Sequence, residues 1–181
     1  MKYNATYNGR LIASTPGWTN DELENSVVLV IEDLLNIGTT GVLLNKPGTI
    51  SAARLLEQLE VPTNDGLIDS VFYGGAGDER AVILVHSNEW SSTNTAKVTS
   101  NISMSSDMFM LEKLAYDNIP HYWKIVAGKV WWEPGLLQSE IENNMWVDIP
   151  ASLELVFITD HEDLWDETIA ICAKEAVRSW L

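Results

Sequence analysis

Cysteine is almost absent from this chain of 181 residues: Cys172 is the only one. That excludes an intramolecular disulfide, a Cys-x-x-Cys redox pair and a thiolate-rich zinc site. Basic residues are also scarce, eleven Lys and Arg against twenty-six Asp and Glu, for a formal charge of −15. Between Lys129 and Lys174 there is no Lys or Arg at all, while ten acids lie between Glu133 and Glu167. Duplex DNA is bound mainly through basic side chains that displace counterions from phosphates, so direct nucleic-acid binding is disfavoured. The acidic stretch reads either as a solvated surface or as a face for a basic partner. No apolar run approaches the roughly 20 residues of a membrane span, and the opening MKYNATYNGR lacks the apolar middle of a secretory signal. A soluble cytoplasmic protein with no membrane association is expected. Low-complexity tracts, internal repeats and linkers are missing too, so residues 1–181 read as one domain.

What is present is a series of short apolar runs set off by turn residues. Strands are expected at Arg10–Ala13, Val27–Glu32 and Gly41–Asn45, the last two joined as a hairpin through LLNIGTT. Thr49 or Ser51 caps a helix that runs to about Glu60 and ends at Pro62 and the Asn64–Gly66 triplet. A second strand pair is expected at Asp69–Tyr73 and Ala81–His86, joined by GGAGDER. After a polar loop at Asn88–Asn94, Ser105 or Ser106 caps a helix that turns Met108, Leu111, Leu114 and Ala115 inward. Lys124–Trp132 reads as a strand, and Pro134 stands where a helix with a Leu137, Ile141, Met145 stripe can begin. Leu153–Ile158 reads as the last strand. The terminal helix places Trp165, Ile169, Cys172, Ala173, Ala176, Val177 and Trp180 on one face, so Trp165 and Trp180 are expected in the core. Strand pairs followed by helices, without strict alternation, indicate an α+β fold.

Four segments stand out by their order and separation: GRLIASTPGW (Gly9–Trp18), GVLLNKP (Gly41–Pro47), VFYGGAGDERAVILVH (Val71–His86) and AGKVWWEPGLLQSEIENNMW (Ala127–Trp146). Together they resemble the bacterial YqgE/AlgH family, on Gly9, Leu11, Ile12, Ala13 and Pro16, then Gly41, Asn45, Lys46 and Pro47. The match continues through Gly74, Gly75 and His86 to Gly128, Trp132, Gly135, Leu137, Glu140 and Ile141. The resemblance implies a single domain with a largely antiparallel, strongly bent sheet flanked by helices. The departures from the family pattern are specific. Glu-His becomes Glu32 and Asp33, and Gln-Leu-Glu becomes Leu136, Leu137 and Gln138, so an imidazole and a carboxylate are lost. Ala76 replaces a proline, Lys129 a tyrosine and Trp131 a glycine. A catalytic site using that His and that Glu would be altered here, whereas a binding role tolerates the changes.

Candidate site residues divide into two groups. Asn45 and Lys46, at a strand end, together with Gly74, Gly75 and His86, could line a crevice for a small anionic ligand. Each also has a structural reading: a turn-forming Asn, a solvated Lys, tight-turn glycines and a hydrogen-bonded buried histidine. The strand after the glycines, and the lack of a Lys-Ser ending, argue against a nucleotide loop. Eight tryptophans form the second signal. Trp18, Trp90 and Trp131 have no assignment to the core, and together on the surface they would mark a protein-binding face. No metal site is expected, because Asp160, Glu162, Asp163, Asp166 and Glu167 lack calcium-loop spacing and suit a helix N-terminus. No cofactor is expected either, and no nucleophile and base pair supports covalent catalysis. The reading is a non-catalytic cytoplasmic binding or regulatory protein. Two alternatives are a ligand binder or enzyme using the Asn45/Lys46 and Gly74/Gly75 crevice, and a transcriptional regulator acting through a protein partner.

Overall fold

The computed structural model describes residues 6–18, 22–63, 67 and 69–180. The Asn64–Gly66 turn expected from sequence lies outside them. Among the described residues ten strands join into one sheet. Its first part is an antiparallel meander of β1 (Arg10–Ser14), β2 (Val27–Leu34) and β3 (Gly38–Leu43). β2 is buried on both faces at Val27–Val30, which is why its sequence is a continuous β-branched and leucine run with no alternation. β4 (Pro47–Ser51) follows, and Ser51 caps α1 (Ala52–Gln58) by accepting from the Arg54 amide at 3.2 Å.

The second expected strand pair is not a pair. β5 (Ser70–Ala76) runs parallel to β9 (Trp123–Trp132), and β6 (Val82–Ser87) runs antiparallel to it, so β9 lies between them. Short strands β7 (Ala96–Lys97) and β8 (Ile102–Ser105) extend the sheet beyond β6. The helix after them, α2 (Met108–Ala115), is capped by Asp107 and not by Ser105 or Ser106. Ser105 is committed to β8 and to a hydrogen bond with His86. α3 (Leu136–Glu142) begins behind Gly135, whose φ of 79° lets the chain turn sharply after Pro134.

Two expectations at the C-terminal end are corrected. Leu153–Ile158 is not a strand: Glu154–Ile158 forms a π-helical turn, with Ser152 Oγ accepting from the Leu155 amide at 3.2 Å. The last strand is β10 (Trp146–Pro150), which pairs with β1 along its whole length. α4 (Leu164–Arg178) buries Leu164 and Thr168 and half-buries Trp165, Ile169 and Cys172, but Val177 and Trp180 are exposed. Trp180, 88% exposed, is therefore not a core residue. Only the first half of the helix reaches the sheet, by packing against β10, β1 and β2.

The sheet curls strongly, giving an α+β half-barrel with separate apolar clusters on its faces. The largest lies under α4 and contains Leu29, Ile31, Val42, Ile83, Val85 and Val126. A second packs α1 and α2 through Leu56, Met110 and Leu114. A third joins Ile12, Val28, Val30, Leu43, Trp132, Leu137 and Trp146 beneath α3.

Candidate functional site

The polar groups of the ligand crevice read from sequence make hydrogen bonds within the fold. Asn45 Oδ1 accepts from the Val27 amide at 2.9 Å and its Nδ2 donates to Asn25 O at 2.8 Å. Lys46 Nζ donates to Glu24 O at 2.8 Å. Both side chains therefore staple the end of β3 to the segment leading into β2. Gly74 and Gly75 are fixed by close strand approach: a Cβ on Gly74 would meet Gly128 O at 2.1 Å, and Gly75 has φ of 133°. His86 is fully buried. Its Nδ1 lies 2.9 Å from Ser87 O, a pure acceptor, so Nδ1 carries the proton, and Nε2 accepts from Ser105 Oγ at 2.9 Å. Burial holds this imidazole neutral, its pKa below the usual 6.5.

The three tryptophans do not form one face. Trp90 is buried, stacked edge-on to His86 and donating to Asn118 O at 3.0 Å. Trp18 is half-buried, edge-on to Trp146 with ring centroids 4.8 Å apart. Only Trp131 stands out, half its surface exposed.

A different site assembles where the sequence leaves the family pattern. Asp33 and Gln138 line one pocket of about 150 Å³, together with Tyr7, Leu34, Leu35, Thr39 and Gly135. A β-bulge in β2 between Val30 and Glu32 places Asp33 there. Strict alternation would put Glu32, and not Asp33, on the face of Val28 and Val30; one extra residue exchanges the two. Asp33 accepts from the Tyr7 amide at 2.8 Å and from Thr39 Oγ1 at 2.7 Å, which locks its carboxylate across the hairpin. Gln138 donates to Glu142 at 2.9 Å along α3. Among the described residues the pocket lining holds no Lys, Arg or His. Burial raises the pKa of Tyr7, and the carboxylates of Asp148, Glu142 and Asp33 raise it further, against Arg10, which lowers it. The phenol thus reports a net negative field at this end of the molecule.

Exposed apolar groups gather at this hairpin. Leu34, Leu35 and Ile37 are 41%, 59% and 65% exposed, and Leu34 and Leu35 line the pocket. Trp131, 50% exposed, pairs with Thr40 and so lies on the other face of the sheet from Asp33. Gly38 lets the hairpin approach β9 closely: a Cβ there would sit 2.8 Å from the Trp131 indole nitrogen and 2.4 Å from Trp132 O. Underneath, Glu140 Oε2 accepts from the indole N–H of both Trp132 and Trp146, at 2.8 Å each. α3 is thereby tied to the sheet, and Gln138 with it.

Cys172 is poorly suited to act as a nucleophile. Burial above all pushes the Cys172 thiol up to about 11, so it is a thiol and not a thiolate near neutrality. Among the described residues no group of three or more His, Cys, Asp or Glu side chains gathers to hold a metal ion. No helix among them is long and apolar enough to cross a membrane.

The curled, largely antiparallel sheet flanked by helices defines the fold class, an α+β half-barrel. Comparison with known proteins identifies the lineage. The AlgH-like family model matches residues 11–176, and the chain belongs to that family. It is 31% identical over 168 residues to a UPF0301 protein of Idiomarina loihiensis, covering 91% of this chain and 89% of that one. A UPF0301 protein of Ruegeria pomeroyi is 28% identical over 175 residues, covering 93% of each. The solution structure of the AlgH protein from Pseudomonas aeruginosa shares the fold with a TM-score of 0.77 at 22% identity. That match covers 94% of this chain and 90% of the other. A crystal structure of a Corynebacterium diphtheriae protein gives a TM-score of 0.73 at 21% identity, covering 93% and 88%.

Proposed function

We propose that this is a non-catalytic cytoplasmic binding protein, regulatory in role, that receives a basic, apolar segment of a partner protein at its hairpin end. The observation that carries the reading is the exposed apolar hairpin of Leu34, Leu35 and Ile37, whose base forms a pocket lined by Asp33 and, among the described residues, by no basic side chain. Large apolar groups clustered beside a preformed pocket are the usual material of an interface centre. The charge around them selects the partner's chemistry. A chain of net charge −15 attracts cationic segments over long range and repels acidic ones. The loss of the family's imidazole at Asp33 fits this assignment, since it makes the pocket more negative.

The test is a Trp131 fluorescence titration with a Lys/Leu amphipathic peptide and its Glu/Leu counterpart. Saturable binding of the basic peptide alone, lost in Leu35→Asp and Ile37→Asp variants, is expected. Both side chains are exposed, so neither variant should unfold the protein. Binding that persists undiminished in both variants is unspecific charge attraction and removes the reading.

A further inference from the structure

A second pocket lies on the other face of β2, and its charges are arranged differently. It encloses about 360 Å³, within the roughly 300–1,000 Å³ span of small-molecule sites. Ile31, Ile83 and Met104 supply apolar walls; Glu32, Arg80 and Lys129 supply charge. The same bulge that sends Asp33 to the hairpin pocket sends Glu32 here. Glu32 pairs across the sheet with Thr40, and Thr40 with Trp131 of β9. Two strand spacings, about 10 Å, therefore separate Glu32 from the strand that carries Lys129. Among the described residues neither Glu32 nor Arg80 forms an ion pair. Lys129 does, with Asp78 at 3.8 Å.

These charges have a consequence for ligand selection. The lining carries one carboxylate and two cations, and Asp78, paired with Lys129 from outside the lining, offsets the second cation, so a simple anion would leave Glu32 uncompensated and a simple cation would leave Arg80 so. A molecule carrying both charges close together, with an apolar remainder, meets every wall. We infer that this pocket binds a free apolar α-amino acid. Its carboxylate is held by Arg80 and Lys129, its ammonium faces Glu32, and its side chain lies against Ile31, Ile83 and Met104. Arg suits the carboxylate end because its planar fork can meet both oxygens. This site shares no residue with the hairpin pocket, so either assignment can fail without the other.

The experiment is a thermal-shift and calorimetric titration of the whole chain with leucine, methionine and phenylalanine. Two half-molecules serve as controls: 4-methylpentanoate, which lacks the amino group, and 3-methylbutylamine, which lacks the carboxylate. A ligand at ten times its Kd should raise Tm by about 3–5 °C. The expected result is saturable binding of at least one amino acid, with each half-molecule at least tenfold weaker. Arg80→Gln and Lys129→Met should each weaken the amino acid and 4-methylpentanoate tenfold or more. Glu32→Gln should weaken the amino acid and leave 4-methylpentanoate unchanged. The Lys129–Asp78 pair is exposed at the surface and its loss should leave the fold intact, which circular dichroism checks. No saturable shift with any of the three amino acids overturns the inference. So does 4-methylpentanoate binding as tightly as the amino acids, or affinity unchanged in folded Arg80→Gln and Lys129→Met.

Discussion

Asp33, from the second strand, and Gln138, from the third helix, line the same pocket. They are the positions at which the resemblance to the family exchanges an imidazole for Asp33 and a carboxylate for Gln138, and nothing in the sequence places them near each other. Their meeting depends on the bulge in β2 and on Glu140, which anchors α3.

Glu140 is the first place to test this architecture. Its Oε2 is the acceptor for two indoles that are 4% and 1% exposed, Trp132 and Trp146. Glu140→Ala leaves both N–H groups buried without a partner, which costs about 2–5 kcal/mol. For a chain of this length that lowers Tm by roughly 5–15 °C. Glu140→Gln keeps an acceptor and should lose less than half as much. Differential scanning calorimetry of the two variants measures the difference; equal losses would mean the carboxylate does not hold the indoles.

His86 gives the protein an acid-side instability of its own. Its folded pKa lies below the unfolded 6.5 because burial penalises the imidazolium. The unfolded chain therefore binds the proton first. Stability is fully present above about pH 6.5 and falls as pH drops toward the folded pKa, by up to about 1.4 kcal/mol per unit. His86→Gln should be less stable at pH 7 but show a flatter slope between pH 6.5 and 5 in denaturant titrations. A slope identical to that of the parent would contradict this assignment.

Lys124 should titrate early for a lysine. Burial lowers its pKa to about 8, partly opposed by Asp160; Nζ donates to Leu44 O at 3.3 Å and lies 4.7 Å from the centre of the Phe72 ring. Reductive ¹³C-methylation followed by NMR should show one dimethyl-lysine signal moving near pH 8, absent in Lys124→Arg. A Lys124 signal that moves only near pH 10.5 would show that the amine is solvated.

Tryptophan exposure separates the surface from the core. Trp131 and Trp180 should carry most of the acrylamide-accessible emission, while Trp90 and Trp146 contribute almost none. Trp131→Phe should reduce the quenchable fraction and Trp90→Phe should not.

The strands that could be read in advance are those whose signal is local. Val27–Val30 is a continuous buried run, and Lys124–Trp132 lies within a long strand at the middle of the sheet. What could not be read depends on distant pairing. GGAGDER looks like a hairpin loop, yet β9 inserts between the strands it joins. The run ELVFI has strand composition, but a serine cap and helical backbone bonds win locally. β10 lies just beyond the Leu137, Ile141, Met145 stripe, which hides its start at Trp146. The candidate crevice residues also have structural roles that local sequence does not show. Asn45, Lys46 and His86 have chemistry suited to ligands, and the fold uses that chemistry to satisfy its own backbone and side chains. Leu35 and Ile37, which face open space, lie in the LLNIGTT hairpin link, and the exposed Trp131 is one of the tryptophans without a core assignment.

The central claim is that partners dock on the hairpin end. The most direct measurement is a ¹H–¹⁵N NMR titration of the chain with the Lys/Leu amphipathic peptide. The account predicts saturable shifts confined to Leu34–Thr39, Gly135–Gln138 and the Trp131 indole. Shifts spread over the acidic residues from Asp160 to Glu167, with the hairpin unmoved, would contradict it.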